Sequence, residues 1–382
     1  MIKEKIAQII PNKLKPFARS VYKIVKLPYV SVNNFRIRRI QKRLLERNYD
    51  SKTESLIVFL TPGYNVVTGG ILAINSMYEE TKKMKDIHNS EVILCTLPED
   101  PLLLKYTKFN FKDYLYDFNL VLSYFTKLHY LMLHVPVVYV PQFIKHIYSN
   151  NKIFYKLKDI KSIHINILLM NIKNLPCINY LKSLGKIGLL TATTAHEAYT
   201  TPELRKKLGI PIHKLGVFIC PEFYEKKSYN EKEDIMIVSP DPHPMKNKIL
   251  SEIKNNFPNL KLIIIKNMPY EEYKKLIAKA KWSVTFGEGL DGYFIETIFS
   301  GGISFAVYNS DFFTEDFKSL RTVYDSYEEM YSGICTDLAE LDDEKVYNEY
   351  QKSQYELVSK YYNYKQYIKN LELFYKGVYT YP

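Results

Sequence analysis

The stretch WSVTFGEGLDGYFIETIFSGGISFAV, residues 282–307, decides the fold. An apolar run, WSVTF (282–286), leads into a turn carrying Gly287, Gly289 and Gly292, then into a helical segment and a second apolar run, ISFAVY (303–308). Strand, glycine-rich loop, helix, strand is the unit from which parallel sheets are built. Asp291 is the expected N-cap of the helix, because its short carboxylate accepts from backbone N–H groups two or three positions on. Glu288 then sits at the mouth of the loop and Glu296 about one turn inside the helix. Free N–H groups at such a helix start suit a phosphate or sugar oxygen, and a carboxylate suits vicinal hydroxyls.

Working outward, the same rhythm repeats on both sides. IMIVSP (235–240), a helix from about Asn247 to Asn256, KLIIIKN (261–267) and a helix from Tyr270 to Ala280 precede the stretch and belong to one α/β domain, 235–345. Upstream, SLIVFLTP (55–62), a helical segment GGILAINSMYEETKKM and EVILCTLP (91–98) open another, 51–222. The polar run FYEKKSYNEKED (223–234) marks the boundary. The expected architecture is α/β, with two Rossmann-like domains facing a crevice, and ligands belong at the carboxyl ends of the strands. One such loop is TPGYNVVTGG (61–70), whose Gly69 and Gly70 open a helix and let backbone approach an anion, or serve a plain turn. This 61–70 loop does not match G-x-G-x-x-G, and G-x-x-x-x-G-K-[ST] occurs nowhere in the chain, which argues against a nucleotide-dependent dehydrogenase and a P-loop ATPase.

The chain has 382 residues, of which 46% are hydrophobic and 25% charged, enough for two cores. Four scattered cysteines show no Cys-x-x-Cys spacing and point to a reducing cytoplasm. The apolar segment YLMLHVPVVYVPQFI (130–144) contains a histidine and two prolines and reads as buried strand and loop rather than a membrane span.

Of the formal charge of +12, most lies in residues 1–50, a basic helical arm with thirteen Lys or Arg against three acids. Within it Ile37, Ile40 and Leu44 form a stripe flanked by Arg36, Arg38, Arg39, Lys42, Arg43 and Arg47. Such a stripe either lies on an anionic membrane or docks on the domain. Nucleic acid is not an expected partner, since the arm carries no recognised motif and the remainder is nearly neutral. At the other end, in residues 346–382, Leu357, Tyr361, Tyr364, Ile368, Leu371 and Tyr375 recur at spacings of four and three, predicting one long helix with a single apolar face.

The run EGLDGYFIETIFSGGISFAV resembles the E-x7-E signature of retaining GT-B glycosyltransferases, especially glycosyltransferase family 4, through Glu288 and Glu296 and the small-residue pair and strand that follow. The similarity covers roughly residues 55–375. It implies transfer of a sugar from a nucleoside-diphosphate sugar with retention of configuration. In that resemblance Glu288 contacts the donor sugar or stabilises its developing positive charge, and Glu296 holds the ribose hydroxyls. The 289–294 loop (Gly289, Leu290, Asp291, Gly292, Tyr293) and either Lys246 or Lys248 of SPDPHPMKNK face the pyrophosphate. Gly69 and Gly70 match the family's glycine loop, and the terminal helix is implied to cross back onto the N-terminal domain. His196, in TTAHEAY, either approaches the sugar from the opposite domain or is structural; Tyr293 and Phe294 either stack on the base or belong to the core. Asp291 departs from the family by standing at its second glycine.

No Asp-x-Asp pair occurs, so neither metal nor cofactor is expected. With the basic arm, the resemblance implies a cytoplasmic enzyme, peripheral on the inner face of a membrane, extending a lipid-linked glycan in capsule or other surface polysaccharide assembly. Two alternatives stand beside it: a non-catalytic GT-B scaffold for a partner transferase, and a non-hydrolysing sugar-nucleotide epimerase of the same architecture.

Overall fold

The computed structural model describes residues 33–98, 100–170, 175, 177–195, 197–266 and 268–382. Its frame is two parallel sheets. The first contains β1 (Ser55–Thr61), β2 (Glu91–Thr96), β3 (Tyr116–Asp117), β4 (Tyr130–Pro136), β5 (Ser162–Leu169), β6 (Leu189–Thr194) and β7 (Ile212–Lys214) in the order β3-β2-β1-β4-β5-β6-β7. The second contains β8 (Glu233–Val238), β9 (Lys261–Ile264), β10 (Ala280–Val284), β11 (Ile303–Val307) and β12 (Val323–Tyr324) in the order β12-β11-β10-β8-β9. Strands such as LIVFL and VILC are apolar on both faces because helices cover both sides.

Each sheet reverses its strand order once. The reversal falls between β1 and β4, where Val58 pairs with Ile93 on one side and Leu133 on the other, and between β8 and β10, where Val238 pairs with Val284. At these points the loops leave in opposite directions and open a crevice beyond the carboxyl ends.

One face of the first sheet is covered by a row of helices, residues 33–48, Phe118–Tyr124, Val140–Ser149, Asn151–Lys158, Ile178–Gly185 and Pro202–Leu208, packed on one core. In the first of these Leu45 is fully buried, and Ile37, Ile40 and Leu44 are half-buried. Buried Gln41 clamps the helix by donating to the Leu115 carbonyl (2.8 Å) and accepting from the Asp117 N–H (3.1 Å), while Arg38 pairs with Asp117 at 2.9 Å. The apolar stripe of the arm therefore faces the domain; residues 1–32 of the arm lie outside the described residues. Segment 130–144, read as strand and loop, is β4, a short 3-10 turn and the start of a helix that carries Pro141 in its first turn.

The single long C-terminal helix expected from the apolar repeat is two helices, Glu344–Tyr361 and Tyr364–Tyr375. The break follows from local chemistry: Tyr362 is buried, and extended Asn363 accepts from the Gln366 N–H (3.1 Å), an N-cap that starts a new helix. The first helix packs Leu357 and Val358 into the core beside the second sheet. The second packs Tyr367, Leu371 and Phe374 on the other face of the first sheet, beside the Gly69–Lys83 helix. The chain thus crosses back between the halves at residues 362–363. Beyond that helix Tyr381 forms an antiparallel bridge to Ile212, with reciprocal N–H to carbonyl bonds of 2.8 and 2.9 Å along β7.

Candidate functional site

The loop after β10 is fixed by its glycines. Gly287 and Gly289 have φ of +79° and +78°, the left-handed region that residues with a Cβ adopt at a cost. At Gly289 a Cβ would also lie 2.7 Å from both the Phe313 ring and the Val307 carbonyl oxygen. Thr285 Oγ1 donates to the Gly289 carbonyl (2.7 Å), and the Gly287 N–H donates to the Tyr327 hydroxyl (2.9 Å). Asp291 caps the Gly292–Phe299 helix by accepting from the Phe294 N–H at 3.1 Å. Burial raises the Asp291 carboxyl well above the usual range; the Phe294 bond opposes this, and the charges of Asp241, Glu288 and Glu296 reinforce it.

The two glutamates of the motif stand in different surroundings. Glu288 is exposed at the loop mouth. Glu296 is buried, and its Oε1 accepts from the hydroxyls of Tyr224 and Tyr270, each at 2.8 Å. Burial raises the Glu296 carboxyl despite those donors. Leu290 and Phe294 are buried in the core, and Tyr293 is half-buried with its ring edge-on to Tyr273 at 5.5 Å. At Gly292 the missing Cβ leaves room beside the Glu296 carboxyl, 3.6 Å away.

Neither candidate lysine extends freely toward a ligand. Lys246 is buried; its ammonium donates to the carbonyls of Ser239 and Asp241, the latter at 3.0 Å, and lies 5.2 Å from the Phe286 ring centre. It thereby pins the loop after β8, and burial lowers its pKa. Lys248 is exposed and covers the Tyr331 ring at 4.1 Å. Gly69 and Gly70 begin a helix capped by Thr68, with nothing crowding Gly69. His196 lies outside the described residues.

Three groups that carry no sequence signal also gather here. His243, after β8, stacks on Tyr327 at 3.5 Å, and Tyr327 stacks on Phe286 at 5.9 Å. Tyr224 and Tyr270, whose hydroxyls are 2.9 Å apart, approach Glu296 from 72 and 26 residues away, separations no periodicity reveals. Beside the loop is a cleft of 290 Å³ lined by Gly287, Val307, Tyr308, Asn309, Ser310 and Tyr327. It lies at the carboxyl ends of β10 and β11, where a parallel sheet receives ligands. Across the crevice the halves touch through the Tyr270 N–H and the Lys108 carbonyl at 2.9 Å. Among the described residues no three His, Cys, Asp or Glu side chains are grouped to hold a metal ion.

No protein-family model matches the sequence, and comparison with curated proteins finds no match. Among solved structures the chain is similar to a sucrose-phosphate synthase from Thermosynechococcus elongatus, with a TM-score of 0.52 and 9% identity over 85% of this chain and 99% of that one. Lower scores are found with Anabaena HepE in complex with UDP-glucose (0.47, 9% identity, 84% and 99% covered) and the wall teichoic acid polymerase TagF (0.43, 14% identity, 94% and 98% covered). At these identities the likeness speaks to fold alone, and with the two parallel sheets, the crevice and the helix that crosses back, it establishes a GT-B architecture.

Proposed function

We propose that the chain is a retaining glycosyltransferase that moves a sugar from a nucleoside-diphosphate sugar to a glycan acceptor, lipid-linked and part of surface polysaccharide assembly. The observation that carries this is the loop of residues 285–292. It is held in left-handed glycine geometry at the strand reversal of the second sheet, opens a helix N-terminus, and borders a cleft of 290 Å³ with Glu288 at its mouth. In the step, the bond from the anomeric carbon to the diphosphate breaks and one to an acceptor oxygen forms, the acceptor hydroxyl passing its proton to the departing diphosphate. Charge develops on the departing diphosphate, and amides at a helix N-terminus are suited to receive it. Glu288 is assigned to the sugar and Glu296 to the ribose; the GT-B fold shared with the sucrose-phosphate synthase supports the assignment through architecture alone.

A non-catalytic GT-B scaffold is the second reading, favoured by one observation: the Glu296 carboxylate and the Lys246 ammonium are already engaged within the chain. Thermal shift with UDP, GDP, dTDP, CMP and their sugar conjugates, followed by a donor-turnover assay, separates the two. A nucleotide at a hundred times its Kd stabilises the fold by about 2.7 kcal/mol. Stabilisation that Glu296→Ala abolishes, together with sugar release or transfer, upholds the enzyme. Nucleotide binding with no turnover of any donor favours the scaffold, and no binding at all removes the donor site.

A further inference from the structure

The positive charge of the described chain is gathered on one layer. The six helices on the outer face of the first sheet, residues 33–48, 118–124, 140–149, 151–158, 178–185 and 202–208, carry fourteen Lys or Arg against two acids, Glu46 and Glu203. That excess of twelve is larger than the excess of all the described residues together, 45 Lys or Arg against 39 acids. On the opposite face of the same sheet, helices Gly69–Lys83 and Tyr364–Tyr375 carry four bases and three acids. The loops of the basic layer add Lys52, Lys127, Lys161 and Lys186 against Asp50, Glu54 and Asp159. Its bases point outward: all but Lys156 and Arg205, which are half-buried, are exposed. Among the described residues, two of the bases pair with a carboxylate, Arg38 with Asp117 and Lys42 with Glu46.

Apolar side chains stand among these charges. Phe35 is 72% exposed, Tyr155 63%, Ile178 47% and Tyr148 43%, on four helices of the layer. Large side chains at that exposure, set in a field of one sign, fit a surface that offers both anions and hydrocarbon. A soluble acidic polymer satisfies the charges and leaves the rings in water.

We propose that this whole layer, and not the arm alone, is a docking face for an anionic lipid bilayer. The proposal deepens the lipid-linked part of the function proposed above, yet its readout needs no donor and no transfer. Docking through this layer holds the first sheet against the bilayer, and the basic groups add roughly 1 kcal/mol each near the surface. No described helix is long and apolar enough to cross a membrane, so attachment through the described residues is peripheral.

The test is co-sedimentation of the full chain with phosphatidylglycerol–phosphatidylcholine vesicles, with phosphatidylcholine vesicles, and with neither. The decisive variant is Lys145→Glu/Lys152→Glu/Lys182→Glu, which leaves helix 33–48 intact and alters only exposed side chains; melting temperature and nucleotide binding should match the parent. Its partition onto anionic vesicles is expected to fall by about a hundredfold, as at least three basic contributions are lost. Arg36→Glu/Arg39→Glu/Arg43→Glu is expected to lower it to a similar degree, and 1 M salt to weaken all binding. Phe35→Ser/Tyr155→Ser should weaken the binding that salt leaves behind. An unchanged partition for the lysine variant, or equal binding to neutral vesicles, overturns the proposal. Binding of polyphosphate without binding of vesicles overturns it too and assigns the face to a soluble acidic polymer.

Discussion

Beneath the crossover helix of the N-terminal half a cluster of histidines is buried; beside the glycine loop of the C-terminal half the carboxyl of Glu296 is. His134 is fully buried, stacked on Phe59 at 4.1 Å, accepts from Asn166 through Nδ1 (3.0 Å) and meets the Tyr375 hydroxyl through Nε2 (3.1 Å). His213 donates through Nε2 to the Asn370 carbonyl (2.7 Å) and accepts from the Thr380 N–H through Nδ1 (3.2 Å). Both patterns are met by one neutral tautomer. Burial holds His134 and His213 below the usual histidine range and takes His164 down to about 4. Across the crevice the same cause pushes Glu296 and Asp291 upward. Burial penalises charge of either sign, so the histidine cluster and the Glu296 site respond to pH in opposite directions. The histidine contribution is complete above the unfolded value of 6.5 and is lost as pH falls from there toward the folded values. For Glu296 the penalty is absent below its ordinary value of 4.5 and grows as pH rises through its elevated one.

The largest expected effect comes from the ring on which the histidines converge. Phe374 is buried with His134, His164 and His213 within 6.0 Å of its centre, and Phe374→Ala is expected to cost about 3–5 kcal/mol. Urea denaturation measures it; a loss below about 1 kcal/mol would mean that this face is not tightly packed. Next is acid itself. Between pH 7 and pH 4, His164 alone should remove on the order of 3 kcal/mol. Hydrogen exchange at pH 4.5 should show β4, β5 and β6 opening before β8 and β10, and the reverse order would break the comparison. Gly289→Ala, which meets Phe313 and the Val307 carbonyl at a positive φ, should cost about 1–3 kcal/mol and abolish nucleotide-dependent thermal stabilisation. Smallest in stability is Glu296→Gln, which keeps an acceptor for Tyr224 and Tyr270 and removes a buried charge. The change should stay within about 1 kcal/mol and flatten the loss of stability that sets in as pH rises above 4.5. If it weakens donor binding by less than about twofold, the ribose assignment fails.

Much of the frame is visible in the chain because parallel strands announce themselves as short apolar runs between breakers. SLIVFLT, EVILCT and the glycine loop were all legible from local pattern, and Asp291 from capping chemistry alone. What is not legible depends on partners brought by the fold. The repeat Leu357 to Tyr375 reads as one face, yet its two halves pack on different sheets, and the clue was the capping asparagine at 363. Lys246 and Lys248 are two residues apart, and only tertiary contacts decide that the first reaches carbonyls and the second an aromatic ring. The layer of positive charge was visible only in part, as an arm, because its other members are scattered between residues 145 and 207 and gathered by the sheet.

The antiparallel bridge between Ile212 and Tyr381 has a consequence for solubility. β7 ends the first sheet, and an uncovered terminal strand offers unpaired N–H and carbonyl groups to any extended chain nearby. The residues around Tyr381 occupy those groups and, with Arg205 lying 4.4 Å over the Tyr381 ring, act as an edge guard against sheet extension between molecules.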